Sequence, residues 1–228
     1  MVDWLKVRNE LLSGRPVLIF DSFHRESEVD MVFYAETVDS SKISFLRKNA
    51  GGLICFVSGR LFREILNIPF MRDILVKEPS LRELAVKNPR YGDPPAFNIW
   101  VNHVNTRTGI SDEDRALTIK KLAEVAKLVY KGFTSSAREI FFREFYSPGH
   151  VPILTSRGLS RRKGHTELVT ALALLTGLTP AMVIAEMLSD GLSLSYEDAR
   201  RYAFSNNIVF LEGVDIIAVA EERGLIND

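Results

Sequence analysis

The 228-residue chain has one cysteine, Cys55, so it cannot close a disulfide within itself. Cysteine this sparse suits a reducing compartment, and a cytoplasmic location is the expectation. There is no excess of charge of either sign, since Lys plus Arg and Asp plus Glu are both 29. A neutral chain has no global field to draw in nucleic acid or an anionic membrane, so neither is an expected partner. Any anionic ligand must be held by a local cluster. No run approaches the roughly 20 apolar residues that cross a bilayer, and Met1-Val2-Asp3-Trp4-Leu5-Lys6 does not read as a signal peptide. GxGxxG, P-loop and nucleophile-elbow patterns are all missing, which removes the commonest nucleotide and esterase readings. No internal repeat and no linker rich in Gly or Ser divides the chain.

What is there is an ordinary globular composition, 46% hydrophobic and 25% charged, in which short apolar runs alternate with helical patterns. Val17 to Phe20 after Pro16, Met31 to Ala35, Leu53 to Val57, Met182 to Ala185 and Ile208 to Phe210 read as strands. Helices are expected over Ser40 to Asn49 with a serine cap, Leu61 to Leu66, Ser111 to Lys131, His165 to Leu175, Tyr196 to Asn206 and Val214 to Glu222. Ser111 with Asp114 makes a near capping box. The stretch 69–95 carries prolines at 69, 79, 89, 94 and 95. It reads as a turn-rich surface excursion with one helix around Leu81 to Lys87. The expected class is α+β, a single layered α/β/α-type domain with a mixed β-sheet spanning 1–228.

Two charged segments carry the chemistry. In Arg25-Glu26-Ser27-Glu28-Val29-Asp30 an extended backbone puts residues 26, 28 and 30 on one face. Carboxylates so placed repel unless they stay wet or share a cation, and a hard ion such as Mg²⁺ takes oxygen ligands. Arg25 either grips a phosphate or neutralises the cluster; the plain alternative is a solvated charged turn. In Arg161-Arg162-Lys163-Gly164-His165-Thr166-Glu167, basic residues sit at an expected helix start, against the dipole. Free N–H groups, a glycine, guanidinium groups and the Thr166 hydroxyl together make a phosphate seat. His165 can ligate a metal. The alternative is a charged first turn with an exposed histidine.

Smaller signals are Thr108, before Gly109 and the Ser111 cap, which can hold phosphate or substrate hydroxyls, and His150 in Pro148-Gly149-His150-Val151-Pro152, which can present an imidazole. Glu186 interrupts an apolar run, where a buried carboxylate must be paired, metal-bound or protonated. There it suits a general acid or base. Cys55, within Leu53 to Val57, is most simply a small buried hydrophobe.

Taken in order, these pieces resemble one family. They are Asp21, Arg25-Glu26-Ser27-Glu28-Val29-Asp30-Met31, Ala35-Glu36, Gly52-Leu53-Ile54-Cys55, Thr108-Gly109-Ile110-Ser111 with Asp114-Arg115, Gly149-His150-Val151, Arg162, Gly164-His165-Thr166-Glu167, and Glu186 with Asp190-Gly191. The set is similar to 3,4-dihydroxy-2-butanone 4-phosphate synthase of riboflavin biosynthesis. The resemblance implies a lyase that converts D-ribulose 5-phosphate to L-3,4-dihydroxy-2-butanone 4-phosphate and formate. It implies Mg²⁺, with Mn²⁺ as the similar alternative ion, and a homodimer with active sites near the interface. It makes Glu26 and His165 the metal ligands. Arg25, Asp30, Thr108, Arg162, Thr166 and Glu186 become substrate-binding residues, and Glu28, Asp30, Cys55, His150 and Glu186 catalytic ones, His150 reaching in from the partner subunit. Three departures stand out: Ser22-Phe23-His24 in place of an acidic tract, with His24 a candidate for the substrate's surroundings; Lys163 at a position commonly glycine; and a long 69–95 segment. No cyclohydrolase domain follows, as it does in fused relatives.

Two rival functions share the phosphate seat. One is a metal-assisted sugar-phosphate isomerase or aldolase, which releases no formate. The other is a non-catalytic module for phosphorylated sugars, which explains the basic helix start but neither the acidic face nor Glu186.

Overall fold

A computed structural model of the chain describes residues 2–227. Its centre is a seven-stranded mixed sheet in the order β4-β5-β3-β6-β2-β1-β9. The strands are β1 (Val17–Phe20), β2 (Val29–Tyr34), β3 (Cys55–Ser58), β4 (Phe97–His103), β5 (Phe145–Thr155), β6 (Ala181–Glu186) and β9 (Val209–Glu212). A small hairpin, β7 (Leu188–Ser189) with β8 (Leu192–Ser193), stands apart. β1 runs parallel to β9 and β3 parallel to β5, while β2, β6 and β4 pair antiparallel with their neighbours.

The inner strands are apolar on both faces because helices cover both. One face buries Leu18, Phe20, Met31, Phe33, Phe56 and Val183. The helices over it are α2 (Ser40–Asn49), α3 (Arg60–Leu66), α6 (Asp112–Tyr130), α7 (Thr134–Glu144) and α9 (Tyr196–Ser205). The other face buries Val17, Ile19, Val32, Tyr34, Cys55, Val57, Met182 and Ile184 under α1 (Trp4–Leu12), α8 (His165–Leu175) and α10 (Gly213–Glu222). This is the expected α/β/α layering. Each large side chain buried in these layers, such as Phe56 or Leu172, contributes roughly 1.5–3 kcal/mol through lost apolar exposure.

The expected helices at Ser40–Asn49 and His165–Leu175 form with those limits. The cap of α2 is Asp39 rather than a serine, its carboxylate accepting the Lys42 N–H at 3.1 Å. At α6 the Ser111 hydroxyl accepts the Asp114 N–H at 3.1 Å, but the Asp114 carboxylate turns outward to the N–H groups of Arg107, Thr108 and Gly109. β3 starts two residues later than its apolar run, because the Leu53 N–H is taken by the Glu186 side chain at 2.8 Å. The 69–95 excursion holds α4 (Met71–Lys77) and a short α5 (Arg82–Ala85); the sequence reading has only the second.

Candidate active site

Asp21, directly after β1, organises the turn into β2. Its carboxylate accepts the N–H of Glu26 at 3.0 Å and of Glu28 at 3.1 Å, and lies 3.4 Å from the Arg25 guanidinium. Ser27 takes a left-handed φ of 56°, a conformation that costs a side-chain-bearing residue roughly 1–2 kcal/mol. The turn rather than a continuous strand therefore brings Glu26 in beside Glu28 and Asp30, which follow the pleat into β2. Asp30 shares its sheet face with Val32 and Tyr34, the face covered by α8, and is paired in register with Glu186 across β6. Cys55 pairs with Ile184 on the same face. The start of α8 lies over this sheet end, with a His165 ring nitrogen 3.2 Å from the Ile19 carbonyl.

The result is a cavity of about 150 Å³ lined by Glu26, Glu28, Asp30, Arg162, His165, Thr166 and Glu186, and walled by Tyr91, Pro95, Ala96, Phe97, Leu154 and Ile184. That is below the roughly 300–1,000 Å³ of pockets for drug-sized ligands and suits a small metabolite. Arg25 stands just behind the lining. It pairs with Glu26 and with Asp93 at 3.2 Å, and stacks over the Tyr91 ring at 4.6 Å. Gly164 gives the two guanidinium groups their room: a Cβ would come 2.4 Å from an Arg162 nitrogen and 2.7 Å from an Arg25 nitrogen, and both side chains would have to move. Gly52 makes the matching space for Glu186, whose carboxylate would be 2.2 Å from a Cβ there.

Electrostatics separate the acids. Burial raises the Asp30 carboxyl to about 7; Glu186, Glu26 and Glu28 add to the rise and His165 opposes it. Burial also works against charge on Glu26, but contact with His165 and the Arg25 charge prevail and hold it at about 2. For His165 burial disfavours the cation, yet Asp30, Glu26 and Asp21 lift it to about 9. Burial, then Glu186 and Asp30, push the Cys55 thiol up, so it stays protonated. Asp30 is 1% exposed and one of its oxygens has no hydrogen-bond partner among the described residues. The buried carboxyl expected at Glu186 is thus found at Asp30; Glu186 itself is half-buried at the end of β6.

Asp21, Glu26 and His165 each offer a ligand atom within 4.8 Å of one another. Asp21 spends both oxygens on the turn, whereas the Glu26 carboxylate and the His165 Nδ1 face each other at 3.5 Å, so a cation held there would take the place of the imidazole proton that these acids retain. A carboxylate oxygen and an imidazole nitrogen beside further acids fit a divalent cation.

Thr108 and His150 lie elsewhere. Both are exposed and meet at Asn102, whose side chain is 3.1 Å from the His150 ring and 3.5 Å from the Thr108 carbonyl. His24 is exposed and outside the cavity lining, and Arg161 and Lys163 face solvent. The sequence reading missed Tyr91 and Asp93 as site residues, since nothing in a proline-rich stretch marks which part folds back.

A family model for 3,4-dihydroxy-2-butanone 4-phosphate synthase matches residues 6–219. The chain belongs to the 3,4-dihydroxy-2-butanone 4-phosphate synthase family. It is 42% identical over 218 residues to the synthase of Methanosarcina acetivorans, covering 91% of this chain and 86% of that one. It is 40% identical over 215 residues to the synthase of Methanothermobacter thermautotrophicus, covering 91% of both. A solved 3,4-dihydroxy-2-butanone 4-phosphate synthase in complex with two magnesium ions superposes with a TM-score of 0.74 at 26% identity, over 97% of this chain and 98% of that one. Membership makes the protein a metal-binding lyase of riboflavin biosynthesis, and the family's substrate is ribulose 5-phosphate. Among the described residues no helix is long and apolar enough to cross a membrane.

Proposed function

We propose that residues 1–228 act as one catalytic domain converting D-ribulose 5-phosphate to L-3,4-dihydroxy-2-butanone 4-phosphate and formate, with Mg²⁺ held by Glu26 and His165. The observation that carries this is one small cavity in which a cation-binding pair, three further carboxylates and a phosphate seat converge. The magnesium-bound relative supports the choice of ion. When bound, the ion polarises substrate oxygens and lowers the cost of negative charge on them.

The chain's own residues supply the rest. Arg162, the Thr166 hydroxyl and the free N–H groups at the start of α8 seat the phosphate, with Arg25 beside them. Fixing that end chooses which C–H bond faces the acids. Asp30 and Glu28 carry the early proton transfers. Glu186, held by the Leu53 N–H, serves the later skeletal migration and hydration. Cys55 backs the reacting carbons with a neutral thiol.

The enzyme acts as a homodimer in which His150 and Thr108 complete the partner's site. Their exposure outside this chain's cavity supports that, as do the exposed apolar side chains of Val104, Ile110 and Tyr146 around them. Mixing Glu26→Gln and His150→Ala subunits, each inactive alone, is expected to restore part of the activity. No recovery after verified subunit exchange would mean that each chain completes its own site. The single reduced thiol is in keeping with the cytoplasm.

The decisive assay is formate release from ribulose 5-phosphate with and without Mg²⁺, with Mn²⁺ titrated in parallel. Metal-dependent formate is the expected result. Isomerised sugar phosphate or a cleaved aldehyde without formate would overturn it, as would calorimetric binding without turnover.

A further inference from the structure

We propose that Glu167, which lies outside the cavity lining, is a positioning residue that holds the Arg162 guanidinium at the phosphate seat. This rests on the function proposed above and adds a residue to it. Glu167 is 1% exposed, in the first turn of α8. A carboxylate buried so deeply must be fully partnered, and both its oxygens are. One accepts the Arg157 backbone N–H at 3.0 Å, the other an Arg162 guanidinium nitrogen at 2.5 Å. Both anchors lie on the chain leading into α8, so Glu167 ties that segment to the helix start it precedes.

Arg162 needs such an anchor because a second guanidinium lies close by. Arg162 is only 7% exposed, and its Nε is buried with no hydrogen-bond partner among the described residues. Its guanidinium and that of Arg25 flank the gap left by Gly164. Two buried cations this close repel, so each needs its own counter-charge. Arg25 has Glu26, Asp93 and Asp21. Arg162 has Glu167 as its salt-bridge partner. A guanidinium has five N–H donors in a rigid fork, so tethering one nitrogen to Glu167 orients the rest while leaving donors for a phosphoryl oxygen. Its neighbours Arg161 and Lys163 face solvent.

The alternative is that Glu167 only stabilises the helix start as an acid at the positive end of the dipole. Steady-state kinetics separate the two. In Glu167→Gln the amide keeps an oxygen for the Arg157 N–H but loses the charge that holds Arg162. We expect KM for ribulose 5-phosphate, and the inhibition constant of inorganic phosphate, to rise by on the order of tenfold. The turnover number and the Mg²⁺ half-saturation are expected to stay within about twofold. Glu167→Asp keeps the charge on a shorter arm and should give an intermediate rise, which supplies the reading if the Gln variant does not fold. In an Arg162→Lys background, Glu167→Gln should add little, because the two act as a unit.

A folded variant with unchanged KM and phosphate inhibition, or one that loses only turnover and melting temperature, would overturn the inference. Should the wild type release no formate, the proposed function fails on its own. Calorimetric binding of inorganic phosphate to wild type and Glu167→Gln then still decides the role of Glu167.

Discussion

Glu26→Gln is expected to raise the Mg²⁺ concentration for half-maximal formate release by roughly 100-fold or more. Replacing even an outer-shell partner of a metal ligand costs about 10- to 100-fold in affinity or activity, and Glu26 is proposed as a direct donor. Its carboxyl, held at about 2, is fully ionised at neutral pH. Glutamine has nearly the same shape and keeps an oxygen for Arg25 and Tyr91, so the turn set by Asp21 should survive. What is lost is the negative charge beside His165. Titrating activity against Mg²⁺, with circular dichroism to show that the fold is intact, gives the answer. A variant with the wild-type metal titration would remove Glu26 from the ion's coordination and return it to the role of a counter-charge for Arg25.

Asp30→Asn should be nearly silent in stability and close to lethal in turnover. The carboxyl is buried at the sheet end with one unpartnered oxygen, and its value of about 7 lets it take and return a proton at neutral pH. General acid–base groups contribute typically 10²–10⁴-fold, so formate release should fall by about that factor. Asparagine has almost the same volume and removes a charge from a crowded acidic cluster, so the melting temperature should hold or rise. Mg²⁺ binding measured by calorimetry should persist. Wild-type formate release from this variant would pass the proton transfers to Glu28, whose side chain already accepts from Ser193 at 2.6 Å.

How much of this could be read from the chain itself varies residue by residue. Glu28 and Asp30 share a face by the pleat of an extended chain, and α8 is legible from its apolar run, His165 to Leu175. The arrival of Glu26 was legible as composition but not as geometry, because it depends on a left-handed Ser27 and on the Asp21 carboxylate. β4, β5, α1, α4 and α7 are not among the elements the sequence predicts. β5 carries Pro148 and Gly149 in its middle, where neither pattern nor propensity favours a strand. Tyr91 and Asp93 were hidden for another reason. Their place is set by the Arg25 contacts and by Arg157, which stacks on Phe70 at 3.6 Å and donates to the Pro95 carbonyl at 3.4 Å. These contacts join residues far apart in sequence, which no local window records. Prolines marked the segment as irregular; only tertiary contacts make it a wall.

The pairing of Asp30 with Glu186 has a bearing on how the sheet finds its alignment. β2 is buried on both sides, so its apolar residues alone would accept a shift of one position against β6. The carboxyl would not. Such a slip would carry Asp30 into the opposite layer, among Phe20, Met31 and Phe33, at a cost of several kcal/mol. The acid proposed to serve the reaction is thereby also a registration mark, and a chain misaligned there would be unstable.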